Sequence, residues 1–263
     1  MESLTKENIY RSPERRISIF ARKAPNWVFY PKIISIVLKA ANLSKREKYT
    51  SEEWVKSSMS ILNALESTGI TFEIENFATF KNLDSPCVFV GNHMSTLETF
   101  VLPCIIQPYC DVTYIVKKEL IEYPIFKHVM IHRDPIVVGR VNPRDDLKAV
   151  LEGGEERLGR NISIIVFPQT TRSVEFDPKQ FNTIGVKLAR RAGVPIVPFA
   201  LKTDAWGNGK RIKEFGKIDP TKPIHICFGE PLTVSGSGRE EHEFIIRFVS
   251  NKLKAWSSNV NEG

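Results

Sequence analysis

The sequence predicts an α/β fold: a mostly parallel sheet flanked by helices, behind an N-terminal membrane-associating helical hairpin. Three observations predict it. From about residue 70 onward, short runs rich in β-branched and aromatic residues alternate with helical segments. Several of those runs, CVFVG and ISIIVF among them, are apolar throughout, as strands covered on both faces are. Ahead of them stand two helical segments with positive charge gathered around the first. On this division residues 1–69 form a basic arm and amphipathic hairpin, and residues 70–263 form the α/β domain.

Taken in order, residues 1–26 are polar and predict an irregular arm. The stretch WVFYPKIISIVLKAANLS then predicts a helix, with Pro31 suited to its first turn. Along it Lys32, Ser35, Lys39 and Asn42 make one narrow polar stripe. Ile33, Ile34, Ile36, Val37, Leu38, Ala40 and Ala41 cover most of the remaining surface. A helix apolar around so much of its girth needs a core or lipid, and the lysines and entrance aromatics Trp27, Phe29 and Tyr30 suit a membrane interface. A second helix is predicted over 51–68, capped by Ser51, with Glu52 and Glu53 in its first turn and Gly69 at its stop. ITFEIE alternates and reads as a half-exposed strand. CVFVG, VTYIVK, PIVV, ISIIVF, PIVPFAL and IHICF predict further strands. Helices are predicted over 95–107, 143–158, 180–192 and 240–256, and SSNVNEG is a tail.

The chain has 263 residues, 42% hydrophobic and 25% charged, an ordinary globular composition with a formal net charge of +7. Residues 1–50 hold eleven basic and four acidic side chains, so the whole net charge lies in the first fifth. A basic arm suits an anionic partner such as a membrane surface. Two observations weigh against nucleic acid as that partner. Residues 51–263 carry no net charge, and no basic stripe is interleaved with stacking aromatics. Cys87, Cys104, Cys110 and Cys227 form no C-x-x-C pair and read as reduced thiols of a cytosolic compartment. No secretory signal is visible at the N-terminus, and no run approaches the ~18 apolar residues that cross a bilayer. The expected location is the cytoplasmic face of a membrane, peripheral or monotopic.

Ligands of an α/β sheet gather at the carboxyl ends of its strands. Three polar clusters fall there. Asn92, His93 and Glu98 follow CVFVG, Arg140 follows PIVVG, and Pro168, Gln169, Thr170, Thr171, Arg172 and Ser173 follow ISIIVF. One histidine at a strand end is an ordinary capping or core residue, whereas three polar clusters on one edge make a site. A neutral imidazole can take a proton from an attacking hydroxyl, and works best when a carboxylate holds its other nitrogen. Residues five apart do not share a helix face. The pair therefore requires His93 in the loop and Glu98 in the first turn of the helix that follows.

These residues resemble a known family. NHMSTLE is similar to the N-H-x-x-x-x-D signature of the glycerophospholipid acyltransferases, the group that includes 1-acylglycerol-3-phosphate acyltransferase. KKELIEYPIF, PIVVGR, FPQTTRS and GVPIVPF resemble the family's further blocks, in family order, over about residues 70–200. The resemblance implies acyl transfer by residues 70–263. His93 is then the general base, and Glu98 orients it. Asn92, Arg140, Gln169, Thr170, Thr171 and Arg172 are the substrate-binding candidates, the arginines on the acceptor's phosphate. It also implies acyl-CoA or acyl-carrier protein as co-substrate, a membrane lipid as acceptor, no other cofactor and no metal. Three departures stand out: Glu98 replaces aspartate, Gln169 replaces glutamate and Thr170 replaces glycine. Gly139 also stands where many members carry aspartate. These changes bear on which acceptor head group is used.

Other patterns carry less. His128 and His132 have a helical metal spacing but no third ligand nearby. No G-x-S-x-G elbow exists, and GNGK at 207–210 lacks P-loop spacing.

Overall fold

A computed structural model describes residues 8–122, 126–169, 171–210 and 212–258, with backbone only for residues 126–128. Within these the strands are β1 (Ile9–Arg11), β2 (Phe72–Glu75), β3 (Val88–Gly91), β4 (Val112–Lys117), β5 (Ile136–Val138), β6 (Ser163–Val166), β7 (Ile196–Lys202) and β8 (Ile224–Phe228). They form one sheet in the order β1-β2-β8-β7-β3-β6-β4-β5. β7, β3, β6, β4 and β5 are mutually parallel. β8 runs antiparallel to β7, β2 parallel to β8, and β1 antiparallel to β2. Five neighbouring strands therefore end on one edge, and the loops beyond them bring together residues far apart in the chain.

The helices are α1 (Ile19–Lys23), α2 (Pro25–Lys45), α3 (Ser51–Glu66), α4 (Leu97–Ile106), α5 (Lys118–Glu122), α6 (Phe126–Ile131), α7 (Pro143–Gly159), α8 (Ile184–Ala192) and α9 (Arg239–Ser258). Side chains alternate across the central strands. Phe89, Ile165, Val197, Phe199 and Leu201 pack in one core with residues of α2, α3 and α4. Val88, Val90, Ile164, Val166, Ile196 and Ala200 pack in a second with residues of α7, α8 and α9. Apolar runs without alternation result because both faces of the sheet are covered. The helix starts follow local chemistry. Thr50 accepts from Glu53 N and opens α3, one residue before the expected cap. Asn142 accepts from Arg144 N ahead of Pro143 and opens α7. Asn182 accepts from Ile184 N, so α8 begins at Ile184 rather than near residue 180.

Two expectations for the N-terminal region are corrected. Residues 9–11 are not irregular: they pair with β2, with Tyr10 opposite Ile74. Glu66, buried at the end of α3, fastens them. It accepts from Tyr10 OH at 2.7 Å and Ser12 Oγ at 2.6 Å, and pairs with Arg15 at 2.8 Å. Polar side chains here serve an internal carboxylate, which a hydropathy reading does not detect. The first hairpin helix also starts earlier, at Pro25, so Pro31 lies inside it. Pro25 already supplies the preset first-turn φ.

The apolar girth of α2 divides in two. Phe29, Ile33, Ala40 and Ala41 are buried against the domain. Trp27 (77% exposed), Ile34 and Leu38 (54% exposed) face outward along one stripe, and Ile19 and Phe20 of α1 are exposed as well. Among the described residues, no helix is long and apolar enough to cross a membrane.

Candidate active site

β3 ends at Gly91, pressed against β7. A Cβ at Gly91 would fall 2.3 Å from the Phe199 ring, so only glycine allows this approach. The chain then turns through Asn92 and His93 into α4. Asn92 is buried and spends both ends of its amide on Leu201 of β7: Nδ2 donates to its carbonyl and Oδ1 accepts from its N–H, each at 2.8 Å. Gln169 Oε1, beyond β6, accepts from the His93 N–H at 2.6 Å, while His93 O accepts from Ser173 N at 3.0 Å. Asn92 and Gln169 thus hold the histidine-bearing turn to the strands on either side. The His93 ring stacks on Phe167 at 4.2 Å between centroids.

The structure brings His93 and Glu98 together, with Nδ1 3.0 Å from Oε1. The pairing has the required layout, since α4 starts at Leu97 and Glu98 stands in its first turn. Glu98 is fully buried and His93 keeps 19% of its side chain exposed. The carboxylate is saturated with donors. Oε1 also accepts from Met94 N (2.6 Å) and Ser95 N (2.8 Å). Oε2 accepts from Ser95 Oγ (2.9 Å) and Thr203 Oγ1 (2.8 Å). Burial alone would raise this carboxyl, but the bond and charge of His93 and the Ser95 N–H outweigh it and hold it below the usual carboxylate range. An ionised carboxylate only accepts, so Nδ1 carries a hydrogen, and in the neutral ring the lone pair stands on Nε2.

Several cations lie on the same edge of the sheet. Arg172 donates through Nη1 to Thr96 Oγ1 and pairs through Nη2 with Glu214 at 2.7 Å. Thr171 accepts from Lys213 Nζ at 3.2 Å. Arg140 is exposed beyond β5 with a positive φ of 56°; its N–H and that of Gly139 both bond to Asp146 Oδ1. Lys117, at the end of β4, is lowered from its ordinary range by burial and by the charges of Arg140, Lys213 and Arg172. Thr170 lies outside the described residues, as do Tyr123, Pro124 and Ile125 of the KKELIEYPIF segment.

The site also contains residues that the sequence reading did not single out. Lys117 ends β4 and opens the quoted KKELIEYPIF segment, and Thr203 follows β7 on the same edge; applying the edge rule to every strand finds both. Ser95 and Phe167 lie inside the quoted motifs. Lys213 and Glu214 arrive from the long β7–β8 connection, and no local signal marks them.

Other chemistry finds little support here. Burial pushes the Cys104 and Cys110 thiols up to about 12 and about 11, so neither is a ready nucleophile. Among the described residues no group of three His, Cys, Asp or Glu side chains is placed to hold a metal ion. The His132 ring meets the Ser44 carbonyl at 3.0 Å, and the His128 side chain lies outside the described set.

Comparison with known proteins places the chain in a family. The family model described as Acyltransferase matches residues 69–202, half of the chain, and the chain belongs to that family. It is 28% identical over 215 residues to the 1-acyl-sn-glycerol-3-phosphate acyltransferase of Pseudomonas aeruginosa, covering 82% of this chain and 77% of that protein. It is 30% identical over 182 residues to the enzyme of the same name from Cocos nucifera, covering 68% of this chain and 55% of that protein. The chain thus spans about three quarters of the first relative and about half of the second. In fold it resembles the 1-acyl-sn-glycerophosphate (LPA) acyltransferase PlsC of Thermotoga maritima, with a TM-score of 0.63 at 17% identity. That likeness covers 90% of this chain and 96% of that one.

Proposed function

We propose that this chain transfers a fatty acyl group from acyl-CoA or acyl-carrier protein to the free hydroxyl of a lysophosphatidic acid-like acceptor, at the cytoplasmic face of a membrane. The observation that carries the reading is the His93–Glu98 pair, one nitrogen committed at 3.0 Å to a buried carboxylate, on the edge that also presents Arg172.

In this reaction His93 Nε2 takes the acceptor's hydroxyl proton as that oxygen attacks the thioester carbonyl carbon. The C–O bond forms, the C–S bond breaks, and the imidazolium returns the proton to the departing thiolate. The products are an ester and a free thiol, with no acyl-enzyme. Glu98 fixes the tautomer and stabilises the imidazolium. Arg140 and Arg172 take the acceptor's phosphate, for which guanidinium forks are matched. Lys117 adds a third positive charge beside them.

Membrane association rests on the outward stripe of Trp27, Ile34 and Leu38 and on exposed Ile19 and Phe20. The N-terminal turns of α2 pack beside the site: Phe29 meets Trp206 at 4.7 Å, and Trp206 stacks on Phe100 of α4 at 5.8 Å. An interface seated on this stripe delivers a lipid acceptor to the same end of the molecule.

The test is an acceptor-by-donor matrix with purified protein in mixed micelles. Labelled acyl chain should pass to lysophosphatidic acid, and His93→Ala should reduce transfer to background. Undiminished transfer by His93→Ala removes the proposed base, and a preference for another lysolipid or an aminolipid reassigns the acceptor.

A further inference from the structure

The connection between β7 and β8 makes a tight loop at the rim of the site. Gly207 N donates to Lys217 O at 2.9 Å and Gly209 N to Lys213 O at 3.1 Å. The loop's two arms lie so close that a Cβ on Gly216 would fall 1.6 Å from Gly207 O. Its backbone is anchored from several sides. Trp206 Nε1 donates to Glu214 O at 3.0 Å, Asn26 Oδ1 accepts from Ile218 N at 3.0 Å, and Tyr30 OH donates to Gly216 O. Phe215 stacks on Tyr30 at 5.2 Å.

The loop's main chain is therefore fixed, but the Glu214 side chain is a third exposed (34%). That side chain lies on the fork of Arg172, with Oε1 2.7 Å from Nη2. The preceding residue, Lys213, reaches Thr171 beside the same arginine. Thus a carboxylate occupies a guanidinium on an edge that is otherwise rich in cations. To a guanidinium, a carboxylate and a phosphate monoester offer similar paired oxygens, but the phosphate carries up to about twice the charge.

We propose that Glu214 is an internal stand-in for the acceptor's phosphate: it occupies Arg172 while the site is empty and yields it to the incoming phosphate. Lys213 then turns from Thr171 to the same anion. The inference rests on the acceptor reading given above. Its functional consequence is selectivity. A phosphate-bearing acceptor competes for Arg172, whereas a neutral glyceride of the same chain length has nothing with which to displace Glu214. The exchange lowers apparent affinity by the fraction of time that Arg172 is occupied.

The test compares the full chain with Glu214→Gln, which keeps the shape and removes the charge. Dissociation constants for lysophosphatidic acid and for the matching monoacylglycerol are measured by calorimetry in mixed micelles. Glu214→Gln should bind lysophosphatidic acid about threefold to tenfold more tightly, the range of a partly exposed charge pair. Its affinity for monoacylglycerol should not change. In an Arg172→Ala background the substitution should have no effect. Unchanged or weaker lysophosphatidic acid binding by Glu214→Gln, at an unchanged melting temperature, overturns the proposal and makes Glu214 a positioning residue for Arg172. If Glu214→Gln is destabilised, Glu214→Asp, which keeps the charge but shortens its reach, carries the same expected sign. Failure of the wild type to transfer acyl chains overturns the functional reading separately, because the stand-in is judged from binding alone. Absence of binding by both proteins overturns the two together.

Discussion

At the scale of single residues, Glu98 shows how a buried charge is retained. An unpaired carboxylate at zero exposure would be neutralised, and here four donors and an imidazole keep it ionised. Glu98→Gln is an informative variant because its oxygen can keep the three Oε1 contacts. The hydroxyls of Ser95 and Thr203 can turn to accept from its amide. Geometry survives while the charge facing the imidazolium is lost, so turnover should fall about 10²- to 10⁴-fold, read from steady-state kinetics. Stability should change with a defined sign. A carboxyl lowered in the folded state contributes stability that is present above its unfolded value of about 4.3 and lost as pH falls through the folded value. Glu98→Gln should therefore be less stable than the parent at pH 7, and the gap should close on acidification, as chemical denaturation at a series of pH values will record.

At the scale of elements, one buried carboxylate backs the β1–β2 ladder and the Arg11–Glu73 pair in holding β1. Glu66 gathers Tyr10, Ser12 and Arg15, and its presence, after burial, pushes the Tyr10 hydroxyl well above its ordinary range. Glu66→Ala should release residues 9–15 from the sheet edge while the rest of the fold holds, at a cost of about 1–3 kcal/mol. Faster trypsin cleavage at Arg15 and Arg16, with faster amide exchange at Ile9–Arg11, would register it. Full protection in that variant would mean that the β1–β2 ladder alone holds the strand. The hairpin is the second lesson at this scale. Its helices were legible from the polar stripe of α2 and the cap of α3. Which apolar residues face the domain was not legible, because Ile33 and Ile34 are neighbours of identical chemistry and only the packing partner separates them.

At the scale of the whole molecule, the site exists because five parallel strands end together. The distances in sequence are large: His93 meets Gln169, Glu98 meets Thr203, and Arg172 meets Glu214. The same packing turns an apolar stripe of α2 outward. On the proposed reading that this stripe seats on a membrane, two terms should govern the affinity. Replacing both Trp27 and Leu38 by serine should weaken binding to anionic vesicles at least about tenfold, since each buried apolar side chain contributes about 1.5–3 kcal/mol. The melting temperature should hardly move, because both side chains are exposed. Raising salt should weaken the parent and the variant alike, as screening acts on the basic arm and not on the apolar term. Sedimentation with vesicles at two salt concentrations checks both, and unchanged binding by the serine variant would remove α2 from the interface.

The α/β class, the strand runs, the His93–Glu98 spacing and the set of polar clusters at strand ends were all legible in the order of residues, because they depend on local periodicity and on residue type within a few positions. That Asn92 and Gln169 brace the histidine's backbone, that Thr203 completes the carboxylate's shell, and that Glu214 rests on Arg172 came only with folding. Those are contacts between separate loops, set by strand order and register, and no local pattern in the chain encodes which loop becomes the neighbour of which.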